Sequence, residues 1–152
     1  MTMFGKSKKI KEYMEPFIKH YSDAKVTFPK KKFYDCEIEY NNKLYLLTFF
    51  KIPKGCRITV NNRYIWQILN GKSGLVTVKG VEKFIDGKDN RKHIKVAVLV
   101  NNTLPVRRWI NECDMEFVDV YSNIYGSRMV ELEKLINQID ALKEIDDIFE
   151  KK

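Results

Sequence analysis

Three carboxylates on one predicted strand have the spacing of a metal site. Asp35, Glu37 and Glu39 alternate within residues 33–40, and alternate residues of a β-strand point to the same face. Hard cations prefer oxygen ligands, so three carboxylates on one face could hold Mg²⁺ or Mn²⁺. The alternative is that these residues form only the solvent-exposed face of a half-buried hairpin.

A lysine on the following strand extends this group. A helix precedes a three-strand meander, with Tyr34-Asp35 on one strand and Lys51 at the end of the next. This order of predicted elements resembles the PD-(D/E)XK nuclease-like fold. The resemblance covers residues 7–121 and lies in element order. In that family an Asp and an acid two residues before a Lys bind the metal, and the Lys stabilises charge or positions water. The resemblance implies these roles for Asp35 and Lys51, whereas the second acid falls on Phe49, which cannot bind a metal.

The register of the hairpin decides whether Glu37, the acid that could replace the missing one, shares a face with Lys51. A two-residue loop at 41–42 puts Asp35 and Lys51 on opposite faces, whereas a three-residue loop at 41–43 gathers the carboxylates and Lys51 on one face. The longer loop separates apolar from charged side chains better, so we predict the longer loop. With this loop, a Mg²⁺- or Mn²⁺-dependent nuclease is the alternative function, with Asp35 and Glu37 as metal ligands and Asp35, Glu37 and Lys51 as catalytic residues.

The positive charge of the chain is concentrated before residue 112. The net charge is +8; residues 1–111 carry 23 Lys or Arg against 9 Asp or Glu, and residues 112–152 carry 5 against 11. Residues 40–81 hold seven basic side chains, no acidic one and several aromatic rings. A surface of one sign attracts polyanions, and exposed rings stack on single-stranded bases. We therefore predict a non-catalytic protein that binds nucleic acid, DNA or RNA. The predicted contact residues are Lys51, Lys54, Arg57, Arg63, Tyr64, Trp66, Lys72, Arg107 and Arg108.

The sequence Arg107-Arg108-Trp109 has two interpretations. The arginines could bind phosphate while Trp109 stacks on a base, as such residues do in nucleic-acid sites. Alternatively, Trp109 packs in the core and the arginines pair with acids. The nearby acids are Glu112, Asp114 and Glu116.

The hydrophobic pattern predicts an α+β fold. An N-terminal helix is expected at residues 7–21, where apolar residues recur at three- and four-residue spacing and Pro16 should kink or divide the helix. A mainly antiparallel β-meander with Asn-Asn turns follows. Residues 92–120 predict a β-α-β unit: a strand buried on both faces, a short helix that begins after Thr103, and a returning strand. A C-terminal amphipathic helix is expected to begin at Ser127.

Length and composition predict a single domain over residues 1–152, with an N-terminal tail at 1–6. The longest uninterrupted apolar run, residues 96–100, is too short to cross a membrane. Three widely spaced cysteines indicate a reducing, cytoplasmic compartment rather than a disulfide framework. The Cys and His spacing does not fit a zinc site, so no cofactor is expected apart from Mg²⁺ or Mn²⁺ in the nuclease alternative.

The acidic C-terminal helix at 127–152 gives a third alternative. Its apolar stripe could dock on the sheet, or the helix could protrude and form a homodimer or bind a protein partner. Its acidic side could also cover the basic face. In this alternative the protein is an interaction or inhibitor factor, of a kind suited to a phage or mobile element.

Overall fold

The computed structural model describes residues 3–70, 74–101, 106–111 and 113–145. These residues fold into helices and two five-stranded sheets, which confirms the predicted α+β class. Both sheets are mixed, because each contains strands that are distant in sequence and pair in parallel. Five of the eight strand pairs in the described part of the chain are antiparallel, as predicted.

The first helix, α1 (Met3–His20), packs one apolar stripe against a sheet. Ile10, Met14 and Phe17 are buried, as their three- and four-residue spacing predicts. The helix is continuous through Pro16, although the sequence predicts a kink or a division there. Proline removes one backbone donor, and the buried stripe still holds both halves of the helix on the sheet.

Five strands form the central sheet. They are β1 (Lys25–Thr27), β2 (Cys36–Tyr40), β3 (Lys43–Lys51), β7 (Ile94–Val100) and β10 (Arg128–Glu131). Their order is β1-β2-β3-β7-β10, with β7 parallel to both of its neighbours. All residues of β7 except Lys95 are buried, which confirms the strand predicted from its β-branched run.

The hairpin between β2 and β3 has a two-residue loop, so the predicted three-residue loop is wrong. Tyr40 pairs with Lys43, and the loop residues Asn41 and Asn42 have φ values of 55° and 63°. Positive φ at both positions gives the turn that matches the twist of a two-residue hairpin, and Asn tolerates it. The prediction assumed one buried face, whereas β3 is buried on both faces over residues 45–50.

The outer sheet consists of β4 (Arg57–Val60), β5 (Trp66–Asn70), β6 (Gly74–Thr77), β8 (Val106–Trp109) and β9 (Met115–Val118). Its order is β6-β5-β4-β8-β9; β4 and β8 are parallel, and the other pairs are antiparallel. The predicted helix of the β-α-β unit is wrong at β8, where Arg107 pairs with Thr59 of β4. The backbone pairing that this segment gains in the sheet determines its structure more strongly than a local helix-capping residue does. The proposed cap, Thr103, lies outside the described residues.

Short helical segments complete the described chain. They are α2 (Val81–Asp86), α3 (Leu135–Gln138) and 3-10 turns at Leu132–Lys134 and Ile139–Ala141. The predicted C-terminal helix is wrong at its start, because Ser127 precedes β10 and does not cap a helix. Met129 and Val130 are fully buried there, one in each core, which is the alternation of a strand. Residues 146–152 of the predicted helix lie outside the described residues.

The described residues cover the central sheet on both faces and the outer sheet on one face only. α1 and α3 pack on one face of the central sheet, and the outer sheet with α2 packs on the other. Side chains alternate between the two cores along β7. Val96 and Val98 belong to the core on the α1 side, and Ala97 and Leu99 belong to the core between the two sheets. We call the remaining, uncovered face of the outer sheet the open face.

Candidate nucleic-acid interface

The open face carries two residues from each strand of the outer sheet. Cross-strand partners share a face, so the register assigns these residues. Thr59 on β4 pairs with Gln67 on β5 and with Arg107 on β8, while Ile58 and Val60 point into the core. The open-face residues are Arg57, Thr59, Gln67, Leu69, Leu75, Thr77, Arg107, Trp109, Met115 and Phe117.

Large apolar side chains are exposed on this face. Leu69, Leu75 and Phe117 have 64%, 65% and 59% of their surface exposed, and Trp109 and Met115 have 37% and 38%. Leu69 pairs with Leu75, and Trp109 pairs with Met115, so the exposed groups adjoin one another. Contiguous apolar groups exposed to water are a common feature of binding surfaces.

The charged residues of the open face are both arginines. Arg57 and Arg107 are exposed, and none of the open-face positions is acidic. Arg107 is the direct cross-strand partner of Phe117, so the Cβ atoms of a guanidinium side chain and a ring lie about 5 Å apart. Such a pair offers one group for a phosphate and one ring for a base.

The neighbouring Arg108 points to the other side of the sheet and is engaged within the protein. Its guanidinium donates to Glu116 at 3.0 Å and to a backbone carbonyl at 2.8 Å, and it lies 4.4 Å from the centre of the Tyr125 ring. The alternative interpretation of Arg107-Arg108-Trp109, with Trp109 in the core and the arginines paired with acids, therefore holds only for Arg108. Arg108 pairs with an acid, whereas Arg107 and Trp109 are exposed.

The other predicted contact residues do not gather on the open face. Trp66 is fully buried and packs against Phe50, so its predicted role as a stacking ring is wrong. Lys51 and Lys54 are exposed, at the end of β3 and in the loop that follows it. Lys72 lies outside the described residues.

Arg63 and Tyr64 form part of the turn between β4 and β5 and contact the end of α2. The Tyr64 hydroxyl donates to Asp86 at 2.8 Å, and the Arg63 guanidinium lies 3.9 Å from the same carboxylate. The guanidinium also lies 5.6 Å and 5.8 Å from the ring centres of Tyr64 and Tyr125. These residues therefore belong to a second basic region, distinct from the open face.

The register separates the predicted nuclease residues. Glu37 pairs with Leu46, and side chains alternate along β3, so Lys51 lies on the face opposite to Glu37. Asp35 accepts a hydrogen bond from the backbone N–H of Phe49 at 2.9 Å. Within the described ranges, no three Asp, Glu, His or Cys side chains are grouped as metal ligands. The predicted grouping of Lys51 with Asp35 and Glu37 on one face is therefore wrong.

Glu37 belongs instead to a network around Arg91. The Arg91 guanidinium donates to Glu37 at 2.7 Å and to Asp89 at 2.8 Å, and the Tyr34 hydroxyl donates to Glu37 at 2.9 Å. The hydrogen bond from Arg91, with that from Tyr34, holds the pKa of Glu37 below its usual range despite burial. Arg91 likewise holds the pKa of Asp89 low. This network ties β2 to the loop that precedes β7.

Sequence reasoning missed most of the open face. The alternation of Met115, Glu116, Phe117 and Val118 predicts the returning strand, and that strand is confirmed as β9. Which of its faces meets solvent depends on pairing with β8, a segment that the sequence predicts as helix. The error in the partner strand therefore concealed the exposed ring of Phe117.

None of the helices in the described part of the chain is long and apolar enough to cross a membrane. The arrangement of side chains on the open face is the basis on which a function can be inferred. Comparisons with known proteins found no match, since no family model, no curated protein and no solved structure matches this chain.

Proposed function

We propose that this protein binds single-stranded nucleic acid, DNA or RNA, on the open face of the outer sheet. The observation that carries the proposal is that Arg57, Arg107, Trp109 and Phe117 are exposed together on a face without acidic residues. The net charge of +8 adds a general attraction for polyanions. The proposal includes no catalytic step.

The arrangement of β8 and β9 suits phosphate contact and base stacking side by side. Phe117 lies opposite Arg107, and Trp109 is the diagonal neighbour of Phe117, at roughly 7–8 Å. Two rings at this separation could each stack on a base while the guanidinium holds a phosphate between them. A single strand can splay its bases onto such rings, whereas a duplex keeps its bases stacked inside.

A second copy of the chain is the competing occupant of an exposed apolar face. Self-association through the open face would bring Arg57 and Arg107 of both copies together, with no open-face acid to pair with them. Burying guanidinium groups without partners is costly. A polyanion, in contrast, supplies the missing negative charge, and the charge of the face therefore favours nucleic acid.

Fluorescence anisotropy of short labelled oligonucleotides tests the proposal. Single-stranded probes should bind more tightly than duplexes, and the slope of log affinity against log salt should be about −0.7 per phosphate contacted. The double variant Arg57→Gln/Arg107→Gln should weaken binding about tenfold or more, because charge-assisted hydrogen bonds to phosphate are lost.

The matched control is Lys30→Gln/Lys43→Gln, which removes the same charge from exposed positions outside the outer sheet. If both double variants lose the same affinity for oligonucleotides, the loss depends only on the net charge of the protein, and the proposal is contradicted. Light scattering adds a separate check. A wild-type dimer that becomes monomeric in Phe117→Ala, with nucleic-acid binding unchanged, would assign the open face to self-association instead.

A further inference from the structure

A basic cleft lies on another part of the molecule. It is bounded by the segment from α2 to the start of β7, the turn before β10 and the described C-terminal end at residues 143–145. The cleft encloses about 690 Å³, within the range of sites that hold ligands of nucleotide size. Arg63, from the turn between β4 and β5, also lines it.

The cleft is strongly positive. Its lining includes seven Lys or Arg side chains and His93, against three acids, Asp86, Asp89 and Glu144. Arg63, in the turn between β4 and β5, belongs to this lining, and no open-face residue does. A concave wall of one sign concentrates its field on a bound counter-ion more effectively than a convex surface does.

Four of these cations already have partners within the protein. Arg91 binds Asp89, and Lys92 lies 3.2 Å from Glu144. Lys95 donates to the carbonyls at the end of α2, at 3.0 Å and 2.6 Å, and Arg63 faces Asp86 at 3.9 Å. These contacts account for the three acids of the cleft and fix the positions of its walls.

The other three cations, Lys88, Arg128 and Lys143, form no ion pair with any described residue. Lys88 and Lys143 are exposed. The half-buried Arg128 guanidinium donates to two backbone carbonyls, those of Tyr121 and Lys143, which orient it but do not neutralise it. Burial lowers its pKa, and the more distant Asp119 offsets this only in part. An anion bound in the cleft would supply the negative counter-charge that these cations lack among the described residues.

An aromatic wall adjoins the cations. The Tyr125 ring centre lies 4.4 Å from the Arg108 guanidinium and 5.8 Å from the Arg63 guanidinium. Tyr125 has a φ of 51° in the turn that joins Ile124 to Ser127, an unusual conformation for an aromatic residue. Tyr125 and Arg63 line the cleft, whereas Arg108 does not, and a ring or guanidinium plane at this wall can stack on a base.

We propose that the cleft binds a multiply phosphorylated ligand of nucleotide size, with Lys88, Arg128 and Lys143 holding the phosphates. The shared chemistry is a chain or cluster of phosphate groups, carried either by a free nucleoside triphosphate or by the 5′ end of a nucleic acid. The cleft and the open face use different residues, so this proposal does not depend on the proposed function.

Isothermal titration calorimetry tests it with four probes: inorganic tripolyphosphate, ATP, and a short oligonucleotide with and without a 5′-triphosphate. Tripolyphosphate and ATP are expected to bind at low salt. Lys88→Gln/Lys143→Gln should weaken the binding about tenfold or more, since charge-assisted contacts to phosphate are lost. Lys30→Gln/Lys43→Gln is again the charge-matched control and should change binding by less than about twofold, because distant charges are screened.

The four probes also separate the two sources of phosphate. Tighter binding of ATP than of tripolyphosphate supports a free nucleotide that stacks on the aromatic wall. Tighter binding of the 5′-triphosphorylated oligonucleotide than of ATP and of the oligonucleotide without that group supports a nucleic-acid end, provided that Lys88→Gln/Lys143→Gln abolishes the preference for the triphosphate. The absence of binding by every phosphate probe, or equal losses in the cleft and control variants, would overturn the proposal. The open-face variant Arg57→Gln/Arg107→Gln should leave cleft binding unchanged, so each proposal can fail without the other.

Discussion

The central sheet and the outer sheet both carry apolar side chains on two faces, but only the central sheet is covered on both. On β3, Tyr45 and Leu46 point to opposite faces and both are buried. On β5, Ile68 is buried, whereas Leu69 beside it is largely exposed. An apolar residue on a strand therefore does not by itself indicate a core. Where it stays exposed next to arginines, a binding surface explains it better.

The charges of the two sheets differ in the same way. Glu37 of the central sheet is bound by Arg91 and Tyr34, so its charge serves the fold. Arg57 and Arg107 of the outer sheet form no ion pair with any described residue. These two arginines lie where the apolar groups are exposed, and the proposed binding of nucleic acid rests on both features.

The largest expected effect is a difference in stability between variants of two leucines, one buried and one on the open face. Leu46→Ala should lower the free energy of unfolding by about 2–5 kcal/mol, because it leaves a cavity in a fully buried position. Leu69→Ala, on the open face, should change it by less than about 0.5 kcal/mol. Urea denaturation measures both. A Leu69 variant as unstable as the Leu46 variant would mean that the open face is covered in solution.

The next effect concerns base stacking. Phe117→Ala should weaken binding of single-stranded oligonucleotides by about 1–3 kcal/mol, the contribution of a ring that stacks on one base. Its thermal stability should stay near wild type because the ring is exposed. Ile18→Ala removes an exposed apolar side chain from α1 and should leave binding unchanged. Anisotropy titrations compare the two, and equal affinities would remove Phe117 from the binding surface.

Two adjacent arginines should behave differently. Arg108→Gln should lower the free energy of unfolding by about 1–3 kcal/mol, because Glu116 and the Asn123 carbonyl lose a charged donor. Arg107→Gln should leave stability unchanged and reduce the salt dependence of nucleic-acid binding by about one phosphate contact. Thermal unfolding and salt titrations of both variants test this contrast. A loss of stability in the Arg107 variant would show that this side chain also serves the fold.

The smallest effect is a pH dependence. The folded-state pKa of Glu37 is depressed by Arg91, so its charge stabilises the fold above the ordinary carboxyl pKa and this contribution is lost as the pH falls through the folded value. The stability difference between wild type and Glu37→Gln should be largest near neutral pH and shrink below about pH 4. Urea midpoints at a series of pH values measure it. A difference that does not vary with pH would mean that the charge of Glu37 has no such role.

Local patterns predicted the elements whose structure depends on local chemistry. The stripe of Ile10, Met14 and Phe17 predicted the buried side of α1, and the β-branched run predicted β7. Local sequence patterns could not predict which strands pair when those strands are distant in the sequence. The segment of Arg107 reads as a capped helix, but it becomes a strand because β4 and β9 bind it on both sides.

The sequence predicted the positive charge of the candidate site, but it did not predict which face of the sheet each side chain points to. The acid-free stretch at 40–81 and the Arg107-Arg108 pair pointed to Arg57 and Arg107, which lie together on the outer sheet. Composition could not show that Trp66 points inward, because the face of a strand residue depends on its pairing. The hairpin register failed for a related reason, since an argument from one buried face does not apply to β3, which is covered on two.

The most direct test of the account is to map nucleic-acid binding onto the outer sheet by NMR. Backbone amide shifts would be followed while a short single-stranded oligonucleotide is added to the labelled protein. We predict changes at Thr59, Arg107 and Phe117 and at their neighbours on β4, β8 and β9, with α1 unchanged. Changes confined to the basic cleft or to α1, with the open face unperturbed at saturation, would contradict the account.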